Sequence, residues 1–416
     1  MRLPSGRLSG RVRIPGSKSL TNRALVAAAL APGRSELVDP LDCDDTRVLA
    51  DALARLGAKV RRGARSWIVE GPLVGAPGGE RTIDVGPAGT PARFLLALLS
   101  ALPGRFVLDG SPRMRERPMG PLVEALVSRG ARIEPLGREG FLPLRIEGGT
   151  LSGGAASVRA DVSSQFVSAL LLASPAVPGG LEVRTEGRAA SGAYVELTRR
   201  VLAVFAPDGR SAPARYVVPA DDSAACFPIA GALVSRGRVE MEGLDPDSSQ
   251  PDAVFRRWAS AAGGTLRWEG SGEEAVLVVE GAPRHGVDAD VDPAPDAALP
   301  LAALVAFAGG TSRLRGVARL REKESDRLAA AVDLLASSGA IARVETEAGG
   351  ELLLVDGPSG KPGRADFRAS GDHRVAMAAA VLALALPEGS TLDDPGVVSK
   401  SYPAFWSDWA ALVPAR

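Results

Sequence analysis

Between Pro15 and Arg23 the chain reads Pro-Gly-Ser-Lys-Ser-Leu-Thr-Asn-Arg, and the residue types there suggest chemistry at once. A strand-like stretch around Val12 and Ile14 breaks at Pro15-Gly16, and an Ala/Leu-rich helix is expected to follow as far as Leu30. Lys18, Ser19 and Arg23 therefore fall where a loop becomes a helix. Backbone N–H groups and the positive end of a helix dipole favour an anion at such a junction. Two cations and a hydroxyl would add a grip for a phosphate or a carboxylate. The competing account makes Ser19 or Thr21 a helix cap and leaves Lys18 and Arg23 as solvated charges. The glycine spacing of a phosphate-binding P-loop is absent.

Polar helix starts of this kind recur. Gly86-Pro87-Ala88-Gly89-Thr90 offers small residues that let a ligand approach the backbone at Gly89, or a plain turn with a threonine cap. Arg113-Met114-Arg115-Glu116-Arg117-Pro118 is an arginine cluster in which only one side chain need face a cleft. Ser163, Ser164 and Gln165 follow Asp161 as three neutral hydrogen-bonding residues, suited to a polyhydroxylated ring or to simple capping, with Ser191 and Tyr194 further on. Asp296 stands directly before an apolar helix, as a cap or a ligand-facing acid. In the charged run Arg321–Arg327, helical spacing is expected to set Lys323 and Arg327 on one face with Glu324 near them. Arg374 opens another helix after Gly371-Asp372-His373, and Lys400 lies in the last loop.

The elements that must position these residues repeat along the chain. Apolar helices are expected at Ser19–Leu30, Thr90–Leu102, Ser164–Ala173, Ser223–Val234, Asp296–Ala308 and His373–Leu386. Each closes on a Gly or Pro turn and leads to a short strand. Amphipathic helices then begin near Thr46, Gly120, Tyr194, Asp252, Asp326 and Ala404. This recurrence, longer than an ordinary solenoid repeat, predicts an α/β protein of two similar domains with three helix–strand units in each. A polar break near Val218-Pro219-Ala220-Asp221 sets the expected boundary, giving one domain from 15–219 and another from 1–14 with 220–416. The length alone favours two cores.

Composition narrows the function. Lys+Arg and Asp+Glu are both 49, so no overall field attracts nucleic acid or an anionic membrane, and any anion site must be built locally. Aromatic content of 4% is poor for base stacking. Two cysteines and two histidines provide neither a disulfide framework nor a His-based metal site. No metal or cofactor is expected. The Ala/Leu runs are too short to span a bilayer, and Met-Arg-Leu-Pro-Ser-Gly lacks the apolar core of a signal peptide, so a cytoplasmic protein is expected.

Taken in order, Pro15–Arg23, Ala88-Gly89-Thr90, Pro112–Pro118, Ser163-Ser164-Gln165, Pro295-Asp296-Ala297, Lys323–Arg327, Asp372-His373-Arg374 and Lys400 resemble the 5-enolpyruvylshikimate-3-phosphate synthases (3-phosphoshikimate 1-carboxyvinyltransferases) over essentially the whole chain. The resemblance implies an inside-out α/β barrel in each domain, a hinge between the domains, and closure over shikimate 3-phosphate and phosphoenolpyruvate, with a monomer expected. It implies that Lys18, Ser19, Arg23, Ser163, Ser164, Gln165, Ser191, Asp296 and Lys323 hold shikimate 3-phosphate. Phosphoenolpyruvate would meet Lys18, Gly89, Arg117, Gln165, Arg327, Arg374 and Lys400. Asp296, Glu324 and Lys18 are the expected proton carriers. Pro87 replaces the family's usual Asn, Arg319 stands where an Asn is often found, and Phe94 replaces proline or leucine. A sibling transferase acting on UDP-N-acetylglucosamine typically uses a cysteine shortly before the arginine matching Arg117, and this chain has none between Cys43 and Cys226. A catalytically silent homologue is the other alternative; the presence together of Lys18, Asp296, Glu324 and Arg374 argues against it.

Overall fold

A helix that is apolar on every side can be satisfied only in an interior, and this chain has several. In the computed structural model, which describes residues 1–159, 163–187, 192–205, 215–358, 363–387 and 389–413, the architecture is mixed α/β. The chain divides into two compact units, Gly16–Val218 and Met1–Pro15 with Pro219–Arg416.

In the unit built mostly from the C-terminal half, helices Asp222–Val234, Ala298–Val305 and His373–Ala383 are buried on all sides and pack on one another. In the Gly16–Val218 unit, helices Lys18–Leu30, Gly89–Ala101 and Ser164–Ala173 hold the corresponding interior position. Their buried side chains are mainly Ala, Leu and Val, which allow close approach without polar atoms to satisfy. The amphipathic helices contrast with these. Asp44–Arg55 buries Leu49, Ala52 and Leu53 and exposes Asp51 and Arg55.

Four sheets share one strand pattern: a parallel pair, then two antiparallel partners. In one, Gly33–Val38 pairs parallel with Arg215–Val217 and antiparallel with Ser66–Gly71, which pairs with Lys59–Arg62. In the second, Gly104–Asp109 lies between Ala76–Asp84 and Leu144–Gly148, with Arg132–Pro135 outermost. The other unit contains Arg238–Glu242 between Ser9–Arg13 and Val276–Gly281, and Ser312–Arg315 between Asp288–Asp290 and Gly350–Asp356. Parallel pairs also join Gly154–Arg159 to Leu181–Glu186 and Ala365–Phe367 to Ser390–Leu392. The N-terminal strand thus belongs to the sheet of the later residues, with Ser9 in register with Arg238.

The consequence for function is positional. Lys18, Gly89 and Ser164 each open an interior helix, and Asp372 caps another. Among the described residues, no helix is long and apolar enough to cross a membrane.

Candidate active site

The Gly16–Val218 unit supplies one group of the expected site residues. Ser17, and neither Ser19 nor Thr21, is the N-cap of helix Lys18–Leu30, and it makes no side-chain capping bond. Thr21 instead donates its hydroxyl to Ser17 O and accepts from Leu41 N, tying the helix start to the following loop. Lys18 is buried to 9% exposure, and its Nζ lies 3.2 Å from Asp45 Oδ2. Asp45 escaped the sequence reading because it sits in an acidic run that looks like ordinary helix-start charge.

Arg23 is also buried and not solvated. Its guanidinium donates to Thr198 Oγ1 at 2.8 Å, to Ser19 O at 2.9 Å, to Tyr194 O at 3.2 Å and to Ser168 Oγ at 3.3 Å. Phe94 and Tyr194 present their rings 5.5 and 5.9 Å from the Arg23 Cζ. All of these partners are neutral. Burial without a carboxylate pushes the guanidinium down to about 10, still charged at neutral pH. Ser19 thus takes part through its carbonyl.

Gly89 and Arg117 are brought into direct apposition. A Cβ at Gly89 would lie 2.4 Å from Arg117 Nη1 and 2.8 Å from its Cζ, so the arginine's place requires the missing side chain. Arg117 is 6% exposed, whereas Arg113 pairs with Glu116 and Arg115 pairs bidentately with Asp109. One arginine of the cluster therefore turns inward. Arg93, missed in the sequence, braces this corner: its guanidinium donates to Gly89 O and Pro118 O, both at 3.1 Å. A lone arginine inside the apolar stretch 91–99 was the available signal. Gln165 Nε2 donates to Thr90 Oγ1 at 3.1 Å, and Ser163 caps its helix by accepting from Gln165 N. Ser164 is buried beside them. Ser191 lies outside the described residues.

The second group belongs to the other unit. Arg327 is 1% exposed and lies among three carboxylates. Its Nε and Nη2 donate to Asp372 at 2.7 and 3.2 Å, its Nη1 to Asp296 Oδ1 at 2.9 Å, and its Nη2 to Glu324 Oε2 at 2.7 Å. Burial disfavours the charge, but Asp372, Glu324 and Asp296 outweigh it and hold the guanidinium above its ordinary range. Arg374 donates to both Asp296 O and Asp296 Oδ2, at 3.0 and 2.9 Å. Asp296 is therefore not a helix cap: it sits in the 3-10 turn Pro295–Ala297 and its carboxylate bridges two arginines. Asp372 caps helix His373–Ala383 through Arg374 N while holding Arg327, a double role that its position before an apolar helix foreshadowed only in part.

The expected helical face shared by Lys323 and Arg327 does not form. A 3-10 turn ends at Glu322, Lys323 is extended, and the helix starts only at Arg327 because the Asp326 side chain accepts from Ala329 N and caps it there. Glu324 reaches Arg327 across this non-helical turn. Lys400, 5% exposed, closes the 3-10 turn Pro395–Lys400, which packs on helix His373–Ala383. Arg319 pairs with Asp292.

Chemically, the first group offers guanidinium groups in largely neutral surroundings beside serine, threonine and glutamine. The second offers two arginines and three acids joined by hydrogen bonds, a setting for proton transfer next to a bound anion.

Comparison with known proteins is consistent along the chain. The family model for EPSP synthase (3-phosphoshikimate 1-carboxyvinyltransferase) matches residues 3–409. A 3-phosphoshikimate 1-carboxyvinyltransferase of Syntrophobacter fumaroxidans is 39% identical over 98% of this chain and 98% of its own length. One from Shewanella loihica is 36% identical over the same shares. Among solved structures, an EPSP synthase from Acinetobacter baumannii superposes with a TM-score of 0.75 at 24% identity, covering 99% of this chain and 97% of the other, a likeness of fold.

Proposed function

The chain belongs to the EPSP synthase family, and from that premise we propose how its residues divide the work. The chain is a transferase: it moves the enolpyruvyl (carboxyvinyl) group of phosphoenolpyruvate to the 5-hydroxyl of shikimate 3-phosphate and releases phosphate, a step of aromatic amino acid biosynthesis. The observation that carries the reading of the site is the arrangement at Asp296, one carboxylate shared by Arg327 and Arg374 with Glu324 on the same guanidinium.

In this reading Lys18, Ser19, Arg23, Ser163, Ser164, Gln165, Ser191, Asp296 and Lys323 serve shikimate 3-phosphate. Lys18, the Gly89 backbone, Arg117, Gln165, Arg327, Arg374 and Lys400 serve phosphoenolpyruvate. Arginine forks suit the carboxylate and phosphate of that substrate because each binds two oxygens at once. The 5-hydroxyl oxygen bonds to the enol carbon while Asp296 takes its proton, and Glu324 delivers a proton to the methylene carbon, making it a methyl group. In the second step Glu324 takes a proton back from that methyl, the double bond re-forms and phosphate leaves with the C–O electron pair. Lys18 assists proton movement. Each unit is read as one enolpyruvyltransferase domain of three repeated helix–strand units, an inside-out barrel, with the chain crossings near Pro15 and Val218 as the hinge. A cytoplasmic monomer completes the reading.

The test is phosphate release from the two substrates by Glu324→Gln. Turnover is expected to fall about 100-fold or more, the usual contribution of general acid–base catalysis, while shikimate 3-phosphate binds within about threefold of normal by the same logic of uniform binding. Near-normal turnover would remove Glu324 from the mechanism.

A further inference from the structure

Among the described residues many exposed arginines are neutralised locally, as Arg61 is by Glu70, Arg132 by Glu147 and Arg343 by Asp356, while single arginines such as Arg34, Arg105 and Arg199 have no carboxylate partner. One surface gathers several arginines into a single cleft. A cleft of about 630 Å³ in the unit formed by Met1–Pro15 and Pro219–Arg416 is lined by Arg7, Arg236, Arg238 and Arg284 together with Glu280. Four cations against one acid leave the lining with a formal excess of positive charge. The single acid is already engaged, since Arg267 donates to Glu280 at 2.7 Å. Arg238 has Glu240 at 2.8 Å. Among the described residues, Arg7, Arg236 and Arg284 have no carboxylate within ion-pair distance.

The backbone adds an independent observation. Arg236 has φ of 52°, in the left-handed region where a side chain is strained. It follows the C-terminus of helix Asp222–Val234 and precedes strand Arg238–Glu242 by two residues. The corresponding turn of the next sheet, two residues before strand Ser312–Arg315, has Gly310 at φ of 79°. Glycine is the residue that avoids the cost. This chain keeps arginine there, and the Arg236 carbonyl accepts from Arg7 Nε at 3.0 Å, which fixes the second guanidinium at the cleft.

We propose that this cleft binds a small polyanion carrying at least two phosphate or carboxylate groups, through Arg7, Arg236 and Arg284. Three forked donors suit several anionic oxygens at once, the one acid of the lining, Glu280, being held by Arg267 and Arg238, and the cleft is of small-metabolite size. The cleft is lined by none of the residues around Asp296: the 13-residue helix Asp222–Val234 spans about 20 Å, Cys226 in its N-terminal part feels the charge of Arg374, the partner of Asp296, and its last turn leads to Arg236.

Pyrophosphate is the probe, titrated calorimetrically into the full chain at low salt. Substrate-binding cations also attract anions, so two variants separate the sources. Arg236→Gly removes a guanidinium while relieving the left-handed strain, and it should fold and turn over substrates as the unmodified chain does. The expected result is a binding component with Kd below about 1 mM that weakens at least about fivefold in Arg236→Gly, and further with Arg7→Gln added, yet persists in Arg117→Ala. A titration unchanged by Arg236→Gly with Arg7→Gln overturns the proposal. So does a component that vanishes wholly in Arg117→Ala.

Discussion

Arg23 and Arg327 are both almost fully buried, but they are held in opposite ways. Arg23 rests on hydroxyls, backbone carbonyls and two aromatic rings, whereas Arg327 is surrounded by Asp296, Glu324 and Asp372. A guanidinium buried without a counter-charge carries a standing desolvation cost that an arriving anion can relieve. A guanidinium already matched by carboxylates gains less from an anion, because an acid must first give way. Arg327 has five N–H groups, of which four are engaged. Lys18, paired with Asp45, follows the second pattern inside the first unit. In the function proposed above this difference becomes a division of labour, with Arg23 anchoring charge and the Asp296–Arg327–Glu324 group placing acids where protons must move.

The sharpest way to break that contrast is to remove each arginine. Arg327→Ala takes a counter-charge from three carboxylates, of which Asp296 keeps another arginine, and is expected to lower unfolding stability by about 3–5 kcal/mol, with turnover lost. Arg23→Met keeps the volume and leaves no buried charge behind, so stability should stay within about 1 kcal/mol of the parent while shikimate 3-phosphate affinity drops steeply. Denaturant melts and binding titrations of the two variants decide the matter; equal stability losses would end the distinction. A smaller effect is expected at Gly89. Gly89→Ala drives a methyl against the Arg117 guanidinium, and kcat/KM for phosphoenolpyruvate should fall about tenfold, the size of one displaced charged contact, with shikimate 3-phosphate affinity intact. Smaller still, Phe94→Leu removes one ring from Arg23. The loss of a cation–π contact worth about 1 kcal/mol should weaken shikimate 3-phosphate a few-fold in the same titration and leave Arg117-dependent binding unchanged.

The positions of the interior helices were legible because their apolar character is continuous and their ends carry Gly, Pro or a polar residue. Ser164–Ala173 and strand Ser390–Leu392 match expectation residue for residue. The charged turns were less legible. The helix expected to begin near Asp326 starts at Arg327, but the helical face expected to join Lys323 to Arg327 is absent because Asp326 caps Arg327–Ser337 and stops it short of Lys323. Capping competes with propagation, and a run of charges contains several residues able to cap.

Residue types and their order along the chain determined the chemistry: which helices open on cations, which acids stand beside them, and the family that this combination marks. Tertiary structure decided the pairing. That Arg117 and not Arg113 or Arg115 turns inward, that Lys18 meets Asp45, and that Asp296 bridges Arg327 and Arg374 depend on elements separated by tens of residues. A carboxylate's partner is set by Coulomb attraction over a few ångströms and by burial, and neither distance nor burial is written in sequence spacing.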